Sequence, residues 1–238
     1  MLNWLISIAV LLVVLGAGLV LFDLFSALLF AFVAGIVCVV LLGRRLAKKL
    51  EAGMEQVQQT LIQLRFDQAI AQLEALRPLT RWQKMVSPML DAQIGIILYA
   101  YKEQLDRALP YLERAPKRQW QAKAMLGALY FRRKDYARME QTFERAVKAN
   151  RKAGLLWSSY AWCQLKRGEQ QRAIEVLARA RKHLPKDERI RNSLLSLQND
   201  RKLKMRGYGD EWWALRLQRP PAQQPAFGGG RRRMIGRR

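Results

Sequence analysis

The stretch GLLWSSYAWCQLKRGEQQRAIEVLARARKHLP, residues 154–185, decides the fold. Its apolar residues recur at intervals of three and four in two runs, which is the pattern of two amphipathic helices. The polar segment KRGEQ, residues 166–170, separates the runs and contains Gly168, a residue suited to a tight turn. Small residues such as Ala161 and Ala180 leave room for the large ones opposite them. The stretch therefore predicts two antiparallel helices packed as a pair.

This helix pair resembles a tetratricopeptide repeat (TPR), whose family pattern is about 34 residues long. The residues at the family's positions are Trp157, Ala161, Gly168, Ala173, Leu177, Ala180 and Pro185. The pattern departs from the family at two positions, because Tyr160 replaces the usual Leu and Gln164 the usual Tyr. One such pair cannot bury its apolar face alone, so at least three pairs must stack.

Further copies of the pattern precede this one. The copy in residues 120–151 matches through Leu126, Gly127, Tyr130, Tyr136, Phe143 and Ala146. Residues 89–119 fit more loosely and are about three residues short of the family length. Residues 50–80 show only the second helix clearly, and a helix over Asp187–Met205 is expected to cap the array. The resemblance covers residues 50–205 and implies an all-α, TPR-like α-solenoid.

The first 43 residues have the composition of a membrane anchor, since Asp23 is their only charged residue. Four basic residues follow at once: Arg44, Arg45, Lys48 and Lys49. A bilayer core needs about 20 apolar residues in a helix, so residues 2–43 are long enough for two spans. We expect a transmembrane helical hairpin over roughly 2–21 and 25–42, turning near Asp23 and Ser26.

The basic cluster at residues 44–49 sets the expected orientation. Lys and Arg beside a span stay in the cytoplasm, so the pattern predicts a multi-pass protein of a bacterial inner membrane with cytoplasmic repeats. The same cluster is expected to contact anionic lipid head groups. A cleaved signal peptide is the alternative, but it would need a basic n-region, and Met1–Leu5 has no basic residue. No Pro or Gly/Ser run separates Gly43 from Pro78, which favours a continuous helix over Leu46–Gln63.

The charge of the chain favours anionic partners. Lys and Arg number 42 against 19 Asp and Glu, a net charge of +23. The sequence contains no Ser/His/Asp or Cys/His arrangement and no phosphate-binding loop. His183 is the only histidine, and Cys38 and Cys163 are far apart in the chain, so no metal-ligand spacing exists. We therefore expect no enzyme activity, no cofactor and no metal.

The TPR resemblance implies a concave groove lined by the first helix of each pair. Five residues fall at its groove positions: Tyr101, Phe131, Arg132, Trp162 and Lys166. Aromatic and cationic side chains together suit an extended peptide or a helix that bears carboxylates. The alternative is that the aromatic residues pack inside the superhelix or against the next repeat.

The tail, residues 206–238, is rich in Pro, Gly and Arg, and this composition predicts disorder. Trp212 and Trp213 could dock on the membrane or cap the last repeat. The terminal cationic cluster consists of Arg231, Arg232, Arg233, Arg237 and Arg238. This cluster could contact anionic lipid or nucleic acid, and nucleic acid is the less favoured partner because no RNA-binding fold accompanies it.

Three segments result: a two-helix anchor over 1–43, cytoplasmic repeats with a capping helix over 44–205, and the tail over 206–238. The layout resembles PelE-type proteins of exopolysaccharide synthesis and secretion complexes, and it is similar to HemY-type membrane TPR proteins. Both resemblances imply a membrane-anchored scaffold that binds protein partners. The alternative function is a membrane-tethered RNA- or ribosome-binding protein that acts through the basic tail.

Overall fold

A computed structural model describes residues 8–13, 16, 24–81 and 86–219, and the regular structure within these ranges is helical. Ten helices can be delimited: α1 Leu24–Ile62, α2 Phe66–Ala75, α3 Val86–Ala100, α4 Leu105–Arg114, α5 Trp120–Arg132, α6 Tyr136–Ala149, α7 Gly154–Lys166, α8 Gln170–His183, α9 Glu188–Gln198 and α10 Asp210–Ala214. Short 3-10 turns occupy Arg77–Arg81 and Arg206–Tyr208. The predicted all-α class is confirmed for the described residues.

α1 is the one helix among the described residues that is long and apolar enough to cross a membrane. These residues therefore show one long apolar helix and not the predicted two-span hairpin. Ser26, which was placed in the turn, lies inside α1. Asp23 and most of the first predicted span, residues 2–21, lie outside the described residues.

The helical residues 8–13 pack against the apolar part of α1. Ala31 and Gly35 are buried there, and a Cβ added to Gly35 would lie 3.4 Å from Leu11 Cδ1. Small residues at this spacing let two apolar helices approach closely.

α1 continues past Gly43 without a break and becomes the first helix of the repeat array. Its C-terminal half packs against α2, and the approach is close at Gly53, where an added Cβ would lie 2.6 Å from Leu76 Cδ2. The Thr60 hydroxyl also donates to Gln72 Oε1 at 3.0 Å. The predicted continuous helix is therefore present, and the first helix pair is complete although its sequence signal was weak.

The helices pack in consecutive pairs: the end of α1 with α2, α3 with α4, α5 with α6, and α7 with α8. The first helices of successive pairs also touch, α3 on α5 and α5 on α7. Small residues set the spacing within a pair, since a Cβ on Gly127 would come 2.5 Å from the Phe143 ring. This paired, stacked arrangement is that of a TPR-like solenoid.

One turn conformation recurs at the end of each first helix. The residues with positive φ there are Leu64, Glu103, Lys134, Gly168 and Asp200. Positive φ is uncommon outside Gly, so five occurrences at corresponding positions reveal a structural repeat. Because α9 ends in the same turn at Asp200, α9 is the first helix of an incomplete fifth pair.

The structure differs from the sequence prediction in two places after α8. α9 begins at its N-cap Asp187, whose carboxylate accepts from the amides of Arg189 and Ile190, but it ends at Gln198 rather than at Met205. The tail was expected to be disordered from residue 206, yet residues 206–219 are folded onto the array. Residues 220–238 lie outside the described residues.

Candidate functional site

The helices α3, α5 and α7 line one face of the array, which we call the groove. α7 shows why the sequence builds a covered surface here, because every residue from Leu155 to Gln164 is buried. A helix that is apolar all round must be covered on all sides. α5, α6, α8 and α9 contact α7, and the face of α7 toward the groove needs a further covering element.

That element is supplied by the chain itself. Residues 205–217, which we call the return segment, run along the groove from α7 back to α3. Their apolar side chains point into the array, and four of these are buried: Met205, Tyr208, Trp212 and Leu215. Trp212 has no exposed surface, so it is as deeply buried as the core residues of the repeats.

Hydrogen bonds fix both ends of the return segment. Near its start, the hydroxyls of Tyr208 and Ser158 lie 2.8 Å apart. Near its end, the Tyr99 hydroxyl donates to the carbonyl oxygen of Leu215 at 2.7 Å. These bonds join the segment to α7 and to α3.

Arg216 adds a charged contact at the α3 end. Its guanidinium donates to the carbonyl oxygen of Ala100 at 2.7 and 3.2 Å, at the C-terminus of α3. The same side chain pairs with Glu103 at 2.5 Å. A cation is favoured at a helix C-terminus, where carbonyl groups lack partners. Arg216 therefore caps the C-terminus of α3.

An aromatic row connects the groove wall to the return segment. The Trp162 ring meets the Trp212 ring edge-on at 5.5 Å between centroids, and it meets Phe131 in the same way at 5.7 Å. Lys166 Nζ lies 5.6 Å from the centre of the Trp162 ring. Edge-to-face aromatic pairs and cation–π contacts each add stabilisation beyond burial.

The structure brings together four of the five residues predicted to line the groove. Phe131 is half-buried, Trp162 is buried, and the exposed Arg132 and Lys166 lie at the ends of α5 and α7. Tyr101 lies elsewhere, because it is past the end of α3 and stacks on Phe66 with ring centroids 4.8 Å apart. The placement of Trp162 matches the alternative in which aromatic residues pack inside the superhelix, because Trp212 covers it.

Burial alters the acidity of the tyrosines in this contact. Burial raises the pKa of Tyr99 to about 12, and the nearby Arg132 guanidinium opposes part of that rise. Burial also raises the pKa of Tyr208. Both hydroxyls therefore remain protonated at neutral pH and can donate hydrogen bonds to the partners described above.

The basic residues predicted to contact anionic surfaces fall into two groups. Arg44, Arg45, Lys48 and Lys49 are exposed on α1 directly after its apolar part. The terminal cluster, Arg231 to Arg238, lies outside the described residues.

Within the described ranges, no three His, Cys, Asp or Glu side chains converge in a way that could hold a metal ion. Cys163 is fully buried in α7, and burial raises the pKa of its thiol. A buried, protonated thiol is a packing residue and a poor nucleophile.

Sequence reasoning missed the residues that hold the return segment, which include Tyr99, Ser158, Tyr208 and Arg216. One signal was present, since Tyr208, Trp212 and Leu215 recur at spacings of four and three. A second signal was the absence of charged residues between Gly154 and Leu165, which is typical of a helix that is covered on all sides.

The comparisons with known proteins add little to this description. No family model matches the chain, and no curated protein matches it. A solved structure described as "MamA RS-1 ArsTM double mutant" is 16% identical over 70% of this chain and 92% of that chain, with a TM-score of 0.47. The TPR-like fold therefore rests on the helix pairs and the recurring turns of this chain itself.

Proposed function

We propose that this chain is a membrane-anchored TPR scaffold that binds protein partners beside the bilayer and has no enzyme activity of its own. One observation carries the proposal: the apolar segment and the first helix of the array are a single helix, α1. A flexible linker would let the array sample many orientations, whereas a continuous helix makes the array follow the direction of the apolar segment.

The membrane part of the proposal has two further supports. Exposed basic residues follow the apolar part of α1, and this pattern supports a cytoplasmic position of the array at a bacterial inner membrane. The packing of Leu11 on Gly35 adds an apolar contact beside α1, as expected of an anchor that is apolar along its length. Confinement of scaffold and partner to one membrane raises their effective concentration. An assembly for exopolysaccharide synthesis or secretion is one setting in which such a scaffold would work.

The groove is the proposed partner site. Arg132 and Lys166 remain exposed at its rim beside Phe131, so a partner segment with aromatic residues and carboxylates would fit there. The return segment occupies the buried part of this surface. We propose that a partner binds along the rim and competes with the return segment for Trp162.

Affinity purification of the tagged full-length chain in mild detergent tests this function. The matched variants are R132E/K166E at the groove rim and K134E/K202E at two exposed lysines of the turns that follow α5 and α9. We expect the wild type and K134E/K202E to retain a nuclease-resistant membrane protein, and R132E/K166E to lose most of it. Loss of all partners after RNase treatment would contradict the scaffold and would favour the RNA-binding alternative.

A further inference from the structure

The loops that join one helix pair to the next carry positive charges and no negative ones. Residues 114–119, 148–153 and 181–186 each contain three Lys or Arg and no Asp or Glu. The nine basic residues are exposed: Arg114, Lys117, Arg118, Lys148, Arg151, Lys152, Arg181, Lys182 and Lys186. Arg114 pairs with Asp91, and within the described part of the chain the other eight make no ion pair.

The turns within the pairs, on the opposite edge of the array, differ in charge. Each of three such turns contains a carboxylate: Glu103, Asp135 and Glu169. Cations of these turns are largely neutralised by ion pairs, Lys102 with Asp67, Arg133 with Asp106 and Arg167 with Glu140. Each joining loop therefore has a net charge of +3, whereas residues 101–104, 132–135 and 166–169 of the turns have net charges of 0, +2 and +1.

The three joining loops form a continuous surface, which we call the loop edge. Asn150 Nδ2 donates to the carbonyl oxygen of Lys117 at 2.7 Å and so connects the first loop to the second. Lys148, Arg151 and Lys182 line one surface cavity of about 360 Å³, which connects the second loop to the third.

The loop edge lies on the side of the array from which the apolar segment comes. α1 runs from that segment toward the turn at Leu64, and α2 returns until Leu76 lies against Gly53. Leu50 and Met54 share a cavity with Val86 at the start of α3 and with Gln119 just before α5. The beginnings of the first helices, and the joining loops that precede them, are therefore level with residues 50–54 of α1.

Residues 50–54 of α1 lie close to the expected membrane surface. Leu50 follows Gly43 by seven residues, which is about 10 Å along a helix. Polar head groups extend roughly 5–8 Å beyond the hydrocarbon core. The remaining gap is within the screening length of about 8 Å at physiological ionic strength.

We infer that the loop edge is a docking surface for the anionic phospholipid head groups of the leaflet from which α1 emerges. This inference rests on the proposed membrane anchor. Lipid is the occupant that the geometry favours, because the anchor holds the loop edge near a surface of anionic head groups at high effective concentration. The anchor is the first contact between the array and the membrane, and it leaves the tilt of the array adjustable. Docking of the loop edge adds a second contact and so sets this tilt.

The test measures how near the loop edge comes to the lipid. The full-length chain, with Cys38→Ser, is reconstituted in nanodiscs of neutral lipid or of neutral lipid with added phosphatidylglycerol. A fluorescent donor is attached at Ala149→Cys on the loop edge or at Gln63→Cys on the opposite edge, and the acceptor is a head-group-labelled lipid. Cys163 has no exposed surface and does not compete for the label.

We expect the Ala149 donor to lie nearer the head groups in anionic than in neutral nanodiscs by a few ångströms, which is the gap left between about 10 Å of helix and the head-group region. High salt and the variant K148Q/R151Q/K152Q should each abolish this approach. The matched variant K134Q/R201Q/K202Q removes three charges elsewhere and should leave it unchanged. The donor at Gln63 should not respond to any of these changes.

Other outcomes overturn the inference. An Ala149 distance that is the same in both lipids, or an equal effect of the two triple variants, would show that the loops do not dock. If K148Q/R151Q/K152Q removes bound RNA but leaves the distance unchanged, the loops bind nucleic acid instead.

Extraction by alkaline carbonate separates this inference from the proposed anchor. If carbonate releases the chain, the anchor is wrong, and flotation of the released chain with anionic vesicles decides the role of the loops. Flotation that K148Q/R151Q/K152Q loses would keep lipid docking, and absence of flotation would reject both proposals.

Discussion

Tyr99 is the residue that ties the return segment to the far end of the array. Its side chain is fully buried on α3, and its hydroxyl donates to a carbonyl oxygen 116 residues later in the chain. A donor in this position must keep its proton, because an unpaired or ionised oxygen would be costly in an apolar site. The residue therefore makes the stability of the array sensitive to high pH.

Tyr99→Phe is expected to change this pH dependence. Because burial raises the folded pKa to about 12, above the ordinary value near 10, the contribution of Tyr99 is complete below pH 10 and is lost as the pH rises toward 12. At pH 8 the substitution should cost about 1 kcal/mol through the lost hydrogen bond. Urea unfolding in detergent at pH 8 and 11 should show a smaller pH-dependent loss for the variant. Tyr101→Phe, at an exposed position, is the control, and equal losses in all three proteins would contradict the expectation.

The recurring turn gives a second prediction at the scale of single residues. Lys134 has a φ of +60° and Gly168 a φ of +93°, so the same turn is occupied once by an unfavourable residue and once by a favourable one. A left-handed conformation costs a residue with a Cβ about 1–2 kcal/mol. Lys134→Gly should raise the free energy of unfolding by roughly 1 kcal/mol, and Gly168→Ala should lower it by a similar amount.

Thermal unfolding by circular dichroism measures both changes. No atom lies within 4 Å of a Cβ added to Gly168, so the effect of Gly168→Ala would be conformational rather than steric. Shifts of the same sign in the two variants would be incompatible with a shared left-handed turn.

At the scale of elements, the return segment is expected to act as a part of the fold. The proposed comparison is between a chain that ends after Arg219 and one that ends after Lys204. The shorter chain exposes Trp162 and Tyr99, so it should melt at a lower temperature and bind an apolar dye more strongly.

A peptide of residues 205–219 should restore the melting temperature of the shorter chain in proportion to its concentration. The same peptide with Trp212→Ala should fail, because it lacks the ring that covers Trp162. Identical melting of the two chains without peptide would show that the groove is stable when open.

The accuracy of the sequence predictions follows from where the stabilising contacts lie. α7 and α8 were predictable because their periodicity, small residues and turn are all within one 32-residue stretch. The folded structure of residues 206–219 was not predictable from the local sequence, because Gly207, Gly209 and Pro220 favour disorder. The contacts that stabilise this segment are with α3 and α7, which are distant from it in sequence. Tyr101 precedes its turn residue Glu103 by two residues, as Arg132 and Lys166 precede theirs, so its repeat position was predictable. Its stacking on Phe66 was not, because that contact joins two helix pairs.

For the whole molecule, the continuous helix α1 predicts that the array has a fixed rotation relative to the apolar segment of that helix. Two alanines inserted between Lys48 and Lys49 should turn the array by about 200°, whereas seven should return it to within about 20° of its original direction. We expect the seven-residue insertion to retain the membrane partner in affinity purification and the two-residue insertion to lose it. Retention by both would indicate that orientation does not matter for assembly.

The same helix makes the position of the groove depend on the thickness of the bilayer. A transmembrane helix longer or shorter than the surrounding hydrocarbon adjusts chiefly by tilting. Because α1 passes from the apolar segment into the array without a hinge, any change of tilt is carried to the repeats as a change in their height and inclination. Lipid composition would thus influence whether a partner reaches the groove, because a thicker or thinner membrane would reposition the array without altering the packing inside it.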